Sequence, residues 1–383
     1  MKNILIAIRS IFKKGRHNVM KIVSLGIGLA VGLVLIAKVY FEQSYDDFYP
    51  DRDRVYQVWA KYQQNGGELK DYPQTSGGIA PTMQQQIPEI ETVTRYTSFG
   101  DWTFTMTDTK MKYSGRCIIA DSCFFDILPR PMLIGNAKEV LSTPMYVLVS
   151  SRIAKNIGGD VIGKNFTVDS SPGRTMTIGG VFEEVPENSH SRYDVIVSMA
   201  SAGRFMWEGS PTNMLGNDRY ISYVKLHKGV NPLALEEQVH TFVNSYFPPE
   251  EQQKTGFNIG FSFHELDGLH KELPQVKRMT WILSLLAFAL IFTAVMNYIL
   301  IVISSIVNRS KEVAVHKCYG ASENNIHGMM FGEALVHIVL SLILALLLIL
   351  AFRGTVEELL ATSLDSLLLS NGSLVLLGIC ILV

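Results

Sequence analysis

The sequence predicts a membrane protein: an α-helical transmembrane bundle of one four-span unit, its last span cut short, with a large α+β extracytoplasmic domain inserted between spans one and two. Three observations predict it. Apolar residues make up 48% of the 383-residue chain and gather at its two ends. The stretch between them reads as an ordinary water-soluble domain of mixed strands and helices without regular βαβ alternation. Lys and Arg cluster in the short segments beside the apolar runs. The net charge of −1 gives no footing for nucleic acid as a partner.

The opening segment, 1–21, holds Asn3 to Phe12, with apolar residues at helical spacing and a basic face. That pattern suits an amphipathic helix on the inner leaflet. A crossing helix needs about 20 mostly apolar residues. Residues 22–41 supply them, interrupted by Lys38, whose long side chain is expected to snorkel to the interface. No small-residue cleavage site follows, so the run reads as a retained anchor and not a signal peptide. Residues 279–307 carry no charge at all and form the second span, and 329–352 the third. Residues 353–372 are expected to be a short external loop, and 373–383 only begin a fourth span.

Lys2, Arg9, Lys13, Lys14, Arg16 and Lys21 precede the first span with no acidic residue among them. Arg309, Lys311 and Lys317 follow the second. Both segments are therefore expected in the cytoplasm, and 42–278 outside.

Within 42–278, strands are predicted near Val55–Trp59, Val93–Ser98, Trp102–Met106, Lys112–Ile119, Tyr146–Ser150, Asn165–Val168, Thr175–Phe182, Asp194–Ser198 and Tyr220–Leu226. Helices are predicted from Gly78 to Ile87, from Ser151 to Ile157 and from Ala234 to Tyr246, with a turn or short helix from Cys123 to Leu128. Cys117 and Cys123 leave two readings open, a disulfide or two buried free thiols.

Candidate chemistry is sparse. Gly158-Gly-Asp-Val-Ile-Gly163-Lys164-Asn165 matches the phosphate-binding loop GxxxxGK[ST] except at its last position, where Asn replaces the hydroxyl. A helix before it and a strand after it reverse the order that loop requires. His264, Glu265, Asp267 and His270 read as a solvated segment near the membrane, and His190 as a turn residue. No nucleophile elbow appears, and an enzyme is not expected.

The segment 308–328 is the informative one. Glu312 and His316, like Val313 and Lys317, share a helix face by i,i+4 spacing. Gly320 ends that helix and Ser322 caps the next. A short, charged helix-turn-helix of this kind suits docking to a soluble partner, and equally suits a plain hairpin between spans. Glu333 lies near the start of the third span, with His337 one turn later. An acid there sits at the interface or pairs inside the bundle.

Asn297-Tyr-Ile, then Asn308-Arg-Ser-Lys-Glu-Val-Ala-Val-His-Lys-Cys-Tyr-Gly-Ala-Ser322 and Glu333, resemble the FtsX-like permease family. Ile162-Gly163-Lys164, Ile178-Gly-Gly-Val181-Phe182 and Val185-Pro-Glu-Asn-Ser-His190 resemble the MacB-type periplasmic core domain. The start of the chain, with Phe48-Tyr-Pro-Asp-Arg52-Asp-Arg-Val55-Tyr56, is similar to versions common in Bacteroidetes. His316 stands where Arg is usual, and Ala314 where Gly is usual. The resemblance implies the permease subunit of an ABC-type export or mechanotransmission complex in the bacterial inner membrane. It implies a separate cytoplasmic ATPase dimer that binds ATP, no cofactor in this chain, and a second permease unit. A periplasmic adaptor or substrate protein and membrane lipid complete the implied partners. Arg309, Lys311, Glu312, Lys317, Gly320 and Ser322 are the residues expected to engage the ATPase. The alternative is a signalling or scaffolding membrane protein whose external domain senses a ligand or regulates a cell-wall hydrolase.

Overall fold

The computed structural model describes residues 18–169, 171–308, 315, 318 and 323–368. The chain divides into two compact units. One unit comprises 45–270, and the other the segments on either side of it.

In the flanking unit, three helices are long and apolar enough to cross a membrane. They are Asn18–Gln43, Pro274–Asn308 and Glu323–Ala351, hereafter the first, second and third spans. The first span is the hub, packing along both of the others. Leu25, Leu29 and Ala30 of the first span, Ala294 of the second, and Ala345 and Ile349 of the third form its core. The second span leaves a face of Trp281, Leu285, Phe288 and Phe292 open. Residues expected as a loop after the third span are instead helical, at Arg353–Leu360 and Leu364–Leu368. Arg353 decides this: its guanidinium holds Glu357 at 2.9 Å and Asp365 at 3.0 Å, tying the two short helices together.

The inserted unit is built on one sheet. Its strands are β1 (Val55–Gln64), β2 (Lys70–Tyr72), β3 (Ile90–Met106), β4 (Lys112–Ala120), β5 (Met132–Ile134), β6 (Tyr146–Ser150), β7 (Asn165–Val168), β8 (Ser171–Phe182), β9 (Val195–Ser198), β10 (Ile221–Leu226) and β11 (Phe257–Glu265). They run in the order β11-β1-β10-β3-β4-β9-β6-β8-β5, with β2 beside β1 and β7 beside β3 and β8. Pairing is antiparallel except for β4 with β9 and β6 with β8.

The central strands are apolar on both faces, as strands covered on both sides must be. Cys117 and Ile119 of β4, Val147 and Val149 of β6, and Val195 and Val197 of β9 feed one core. Ile118, Leu148 and Ile196, the residues between them, feed another. A third core lies where Ile79–Gln86 and Glu236–Tyr246 lay Ile79, Met83, Val239 and Phe242 over β1, β3 and β10.

Two strands expected near 93–98 and 102–106 are one. β3 runs through, with a register shift against β4 between Ser98 and Gly100. Gly100 sits there at φ +74°, a conformation glycine takes without steric cost, so a bulge replaces the expected break. Strand β11 was not expected. Phe257, Ile259, Phe261 and Phe263 alternate with smaller or polar residues, which is the period-two signal of a half-buried strand.

Candidate functional site

Three small residues let the first span serve as hub. A Cβ on Gly28 would lie 2.2 Å from the Ala294 methyl, and one on Gly32 would lie 2.4 Å from Ile291. Gly28 and Gly32 are the small-xxx-small pair that lets two membrane helices approach closely. Gly26 does the same toward Leu344 of the third span, where a Cβ would come within 2.9 Å. Ser341 reinforces that side by donating a hydrogen bond to the carbonyl of Ile22 at 3.1 Å.

Lys38 does not snorkel. It is 8% exposed, and its ammonium meets Glu42 at 2.7 Å and donates to Thr362 Oγ1 at 2.8 Å. One turn of helix separates Lys38 and Glu42, so the carboxylate neutralises the ammonium inside the packed unit. Thr362 belongs to the turn after Arg353–Leu360, so the end of the first span is fastened to the segment beyond the third. Near the other end of the bundle, the Tyr298 hydroxyl and His337 Nδ1 are 3.5 Å apart, with the rings edge to face. Glu333, one turn from His337, is half-buried on the same span.

In the inserted unit, the two ends of the segment meet. The rings of Tyr45 and His270 stack with centroids 3.4 Å apart. Arg52 adds a second clasp, with Asp47 at 3.0 Å and Asp267 at 3.4 Å. His264 lies on β11 with its ring against Trp59, centroids 4.2 Å apart. The expected solvated segment 264–270 is therefore part strand and part clasp, because its aromatic and charged partners lie on β1 and in the 45–54 stretch.

His190, expected as a turn residue, joins a buried polar chain. Its Nδ1 donates to Asp46 Oδ2 at 2.7 Å, and its Nε2 pairs with the Tyr223 hydroxyl. An ionised carboxylate accepts only, so a proton stands on Nδ1 facing Asp46. Ser189 also donates to Asp46, at 3.0 Å, and Ser191 donates to the Tyr96 hydroxyl at 2.8 Å. Asp46 is fully buried and sits at φ +59°, a left-handed position that Asp tolerates better than most residues. Burial pushes the Tyr96 phenol up to about 12 and Tyr223 well above its usual range, so both stay protonated at neutral pH. Ser189 and His190 are thereby pinned to the residue just after Tyr45, and Ser191 to β3.

Cys117 and Cys123 are not bridged. Cys117 is buried, and Cys123 donates to the Val93 carbonyl at 3.1 Å. The GxxxxGK segment has helix Ser151–Ile157 before it and β7 after it, the reverse of a nucleotide loop. Among the described residues no cluster of His, Cys, Asp or Glu is arranged to hold a metal. Arg309, Lys311, Glu312, Lys317, Gly320 and Ser322 lie outside the described residues, as do most of 1–21 and all of 373–383.

Sequence reasoning missed Lys38 as a buried pair, Gly28 with Gly32, and the Tyr45–His270 contact. The glycine spacing was readable in the first span. The other two required knowing what lies 324 and 225 positions away in the chain, at Thr362 and His270.

Residues 20–242 match the MacB-like periplasmic core domain, and residues 284–383 match the FtsX-like permease C-terminal domain. Among solved structures, the chain is similar to a crystallised domain of a permease protein from Porphyromonas gingivalis. Identity is 32% and the TM-score 0.52, over 57% of this chain and 91% of that one. The extracellular domain of the noncanonic ABC-type transporter YknZ from Gram-positive bacteria is also similar, at 10% identity and TM-score 0.38, over 54% of this chain and 98% of that one. No curated protein matches.

Proposed function

The chain belongs to the permeases that join a MacB-like periplasmic core domain to an FtsX-like permease domain, and from that premise we propose that it couples ATP hydrolysis in a separate cytoplasmic ATPase to movement of its inserted domain. It is a multi-pass membrane protein with a large extracytoplasmic domain, a non-catalytic permease subunit of an ABC-type transport system. ATP belongs to the partner ATPase dimer, and this chain contributes the moving parts.

The observation that carries the coupling reading is the closed base of the inserted unit. Its first and last residues, Tyr45 and His270, touch each other, and Arg52 clasps Asp47 and Asp267 beside them. A domain held at one base responds to its two attached spans as a single body, where a domain with splayed attachments would deform. The three apolar cores behind that base supply the stiffness.

In this reading the N-terminus and the 308–328 segment are cytoplasmic, as the Lys and Arg distribution favours. Arg309, Lys311, Glu312, Lys317, Gly320 and Ser322 form the contact with the ATPase. A four-span unit works with a second permease unit, and the open apolar face at Trp281, Leu285, Phe288 and Phe292 is suited to lipid or to that unit. A periplasmic adaptor or substrate protein engages the inserted domain.

The test is reconstitution with the ATPase that co-purifies from native membranes. Glu312→Lys together with Gly320→Pro should abolish stimulation of ATP hydrolysis by the permease while the inserted domain keeps its melting temperature. Unchanged stimulation in that variant defeats the reading.

A further inference from the structure

A charged cleft on the inserted domain is left unused by the coupling mechanism. It has a volume of about 350 Å³ and lies where β3, β4, the helix Ser151–Ile157 and the 183–194 connection converge. That connection contains the Val185-Pro-Glu-Asn-Ser-His190 segment that the resemblance singled out.

The floor of the cleft is rigid. Asp194 accepts from the Arg116 amide at 3.0 Å, meets the Arg152 guanidinium at 2.6 Å and accepts from Ser150 Oγ at 3.3 Å. Its own backbone bonds both neighbours: its amide donates to the Arg116 carbonyl at 2.8 Å, and its carbonyl accepts from Ser150 at 2.7 Å. Arg152 is thus neutralised, with Glu184 a further 3.6 Å partner.

Four other charged residues line the cleft, and three of them, all but Glu187, are uncommitted. Among the described residues, the side chains of Arg116, Arg192 and Asp101 make no hydrogen bond or ion pair. Asp101 and Arg116 are direct cross-strand partners on β3 and β4, yet no ion pair joins them. A guanidinium is built to take a carboxylate through two parallel hydrogen bonds. Two of them stand here, Arg116 on β4 and Arg192 in the 183–194 connection, with the uncommitted Asp101 carboxylate in the same cleft. A ligand that answers all three carries an anionic carboxylate and an ammonium together. The volume sits at the lower end of the roughly 300–1,000 Å³ of small-ligand pockets, which selects a small molecule.

We propose that this cleft binds a small zwitterion of the amino-acid or short-peptide class, its carboxylate on Arg116 and Arg192 and its ammonium on Asp101. The proposal goes beyond the coupling reading and does not depend on it, because binding is measured with no ATPase present.

The experiment is calorimetric titration of the purified full chain in detergent with dialanine bearing free termini. The comparators are dialanine blocked at both ends and inorganic phosphate. Dialanine should bind saturably, and the blocked form should lose at least about tenfold in affinity, a difference of about 1.4 kcal/mol. Phosphate should also bind at least about tenfold more weakly, since it leaves Asp101 unanswered. Arg116→Ala with Arg192→Ala should abolish binding without lowering the melting temperature, both side chains being exposed. Asp101→Asn should weaken dialanine but not phosphate, which separates loss of the ammonium contact from a general disturbance. Absence of saturable binding by about 10 mM dialanine overturns the proposal. So does equal affinity for the blocked dipeptide or phosphate, or binding retained by the double variant.

Discussion

Tyr45 and His270 lie face to face, their planes within 8° of parallel, at the two ends of the inserted domain. They are 225 positions apart in the chain. Aromatic pairs of this kind contribute about 0.5–1.5 kcal/mol beyond the area they bury. Tyr45→Ala should therefore loosen the base without unfolding the domain. Amide hydrogen exchange across 46–54 and 265–270 is expected to rise by up to about tenfold, while the cores keep their protection. Exchange at the base that matches the wild type would show that the stack holds nothing.

Lys38 and Glu42 form a pair whose members depend on each other. Removing Glu42 takes the carboxylate away from a buried ammonium, at a cost of roughly 3–5 kcal/mol. Lys38→Met and Glu42→Gln should each lower the melting temperature in detergent markedly. The double variant Lys38→Met with Glu42→Met should be milder than either. A double variant worse than the sum of the singles would contradict the assignment.

Gly28 meets Ala294 with no room for a methyl group. Gly28→Ala should separate the first and second spans and destabilise the unit by about 1–3 kcal/mol. Adding Ala294→Gly should restore much of the loss, because the second change returns the missing space. Thermal unfolding of the three proteins decides the matter.

The cysteines should differ sharply in reactivity. Burial pushes the Cys117 thiol well above its usual range, so at neutral pH it is both protonated and covered. Cys123 is raised as well, by burial and then by Asp121. Cys318 is exposed. Native protein treated with a maleimide should label Cys318 quickly and Cys117 only after denaturation, as peptide mapping would reveal. Rapid native labelling of Cys117 would contradict its place in the core.

Asp51 gives a pH dependence with a definite sign. Its hydrogen bond from Lys225, then that from Arg54, holds its carboxyl below the ordinary 3.8. A depressed folded value means that its contribution is fully present above pH 3.8 and fades as pH falls through the folded value. The side chain is 36% exposed, so solvent screens the pair and the effect is small, below about 1 kcal/mol. Urea melts of the inserted domain should show Asp51→Asn less stable than wild type at pH 6, with the gap closing in strong acid. A gap that widens in acid would reverse the sign.

The ladder of expectation and outcome follows the range of the interactions. Ser151–Ile157 ends at Gly158, at φ +75°, as a glycine-terminated helix does. Strand β6 occupies the five residues whose β-branched and aliphatic run predicted it. The three spans followed from hydropathy alone. In each case the deciding forces act within one or two turns of chain. Lys38 came out differently because its environment is made by Thr362 and by the packed spans, and no local signal records them. His190 sits in Pro186-Glu-Asn-Ser-His190, which reads as a turn by composition, yet its role is set by Asp46 and Tyr223.

By itself, then, the sequence determined what must be buried and what must be wetted: three apolar helices, a soluble insertion between the first two, and the period of each strong strand. Those follow from the transfer of side chains out of water, a property each residue carries with it. Only the tertiary structure decided which polar groups are paired inside, that the inserted domain closes on itself at Tyr45 and His270, and that Arg116, Arg192 and Asp101 share a cleft with their charges unspent. Pairing depends on distances of a few ångströms between residues far apart in the chain, and those distances exist only once the chain has folded.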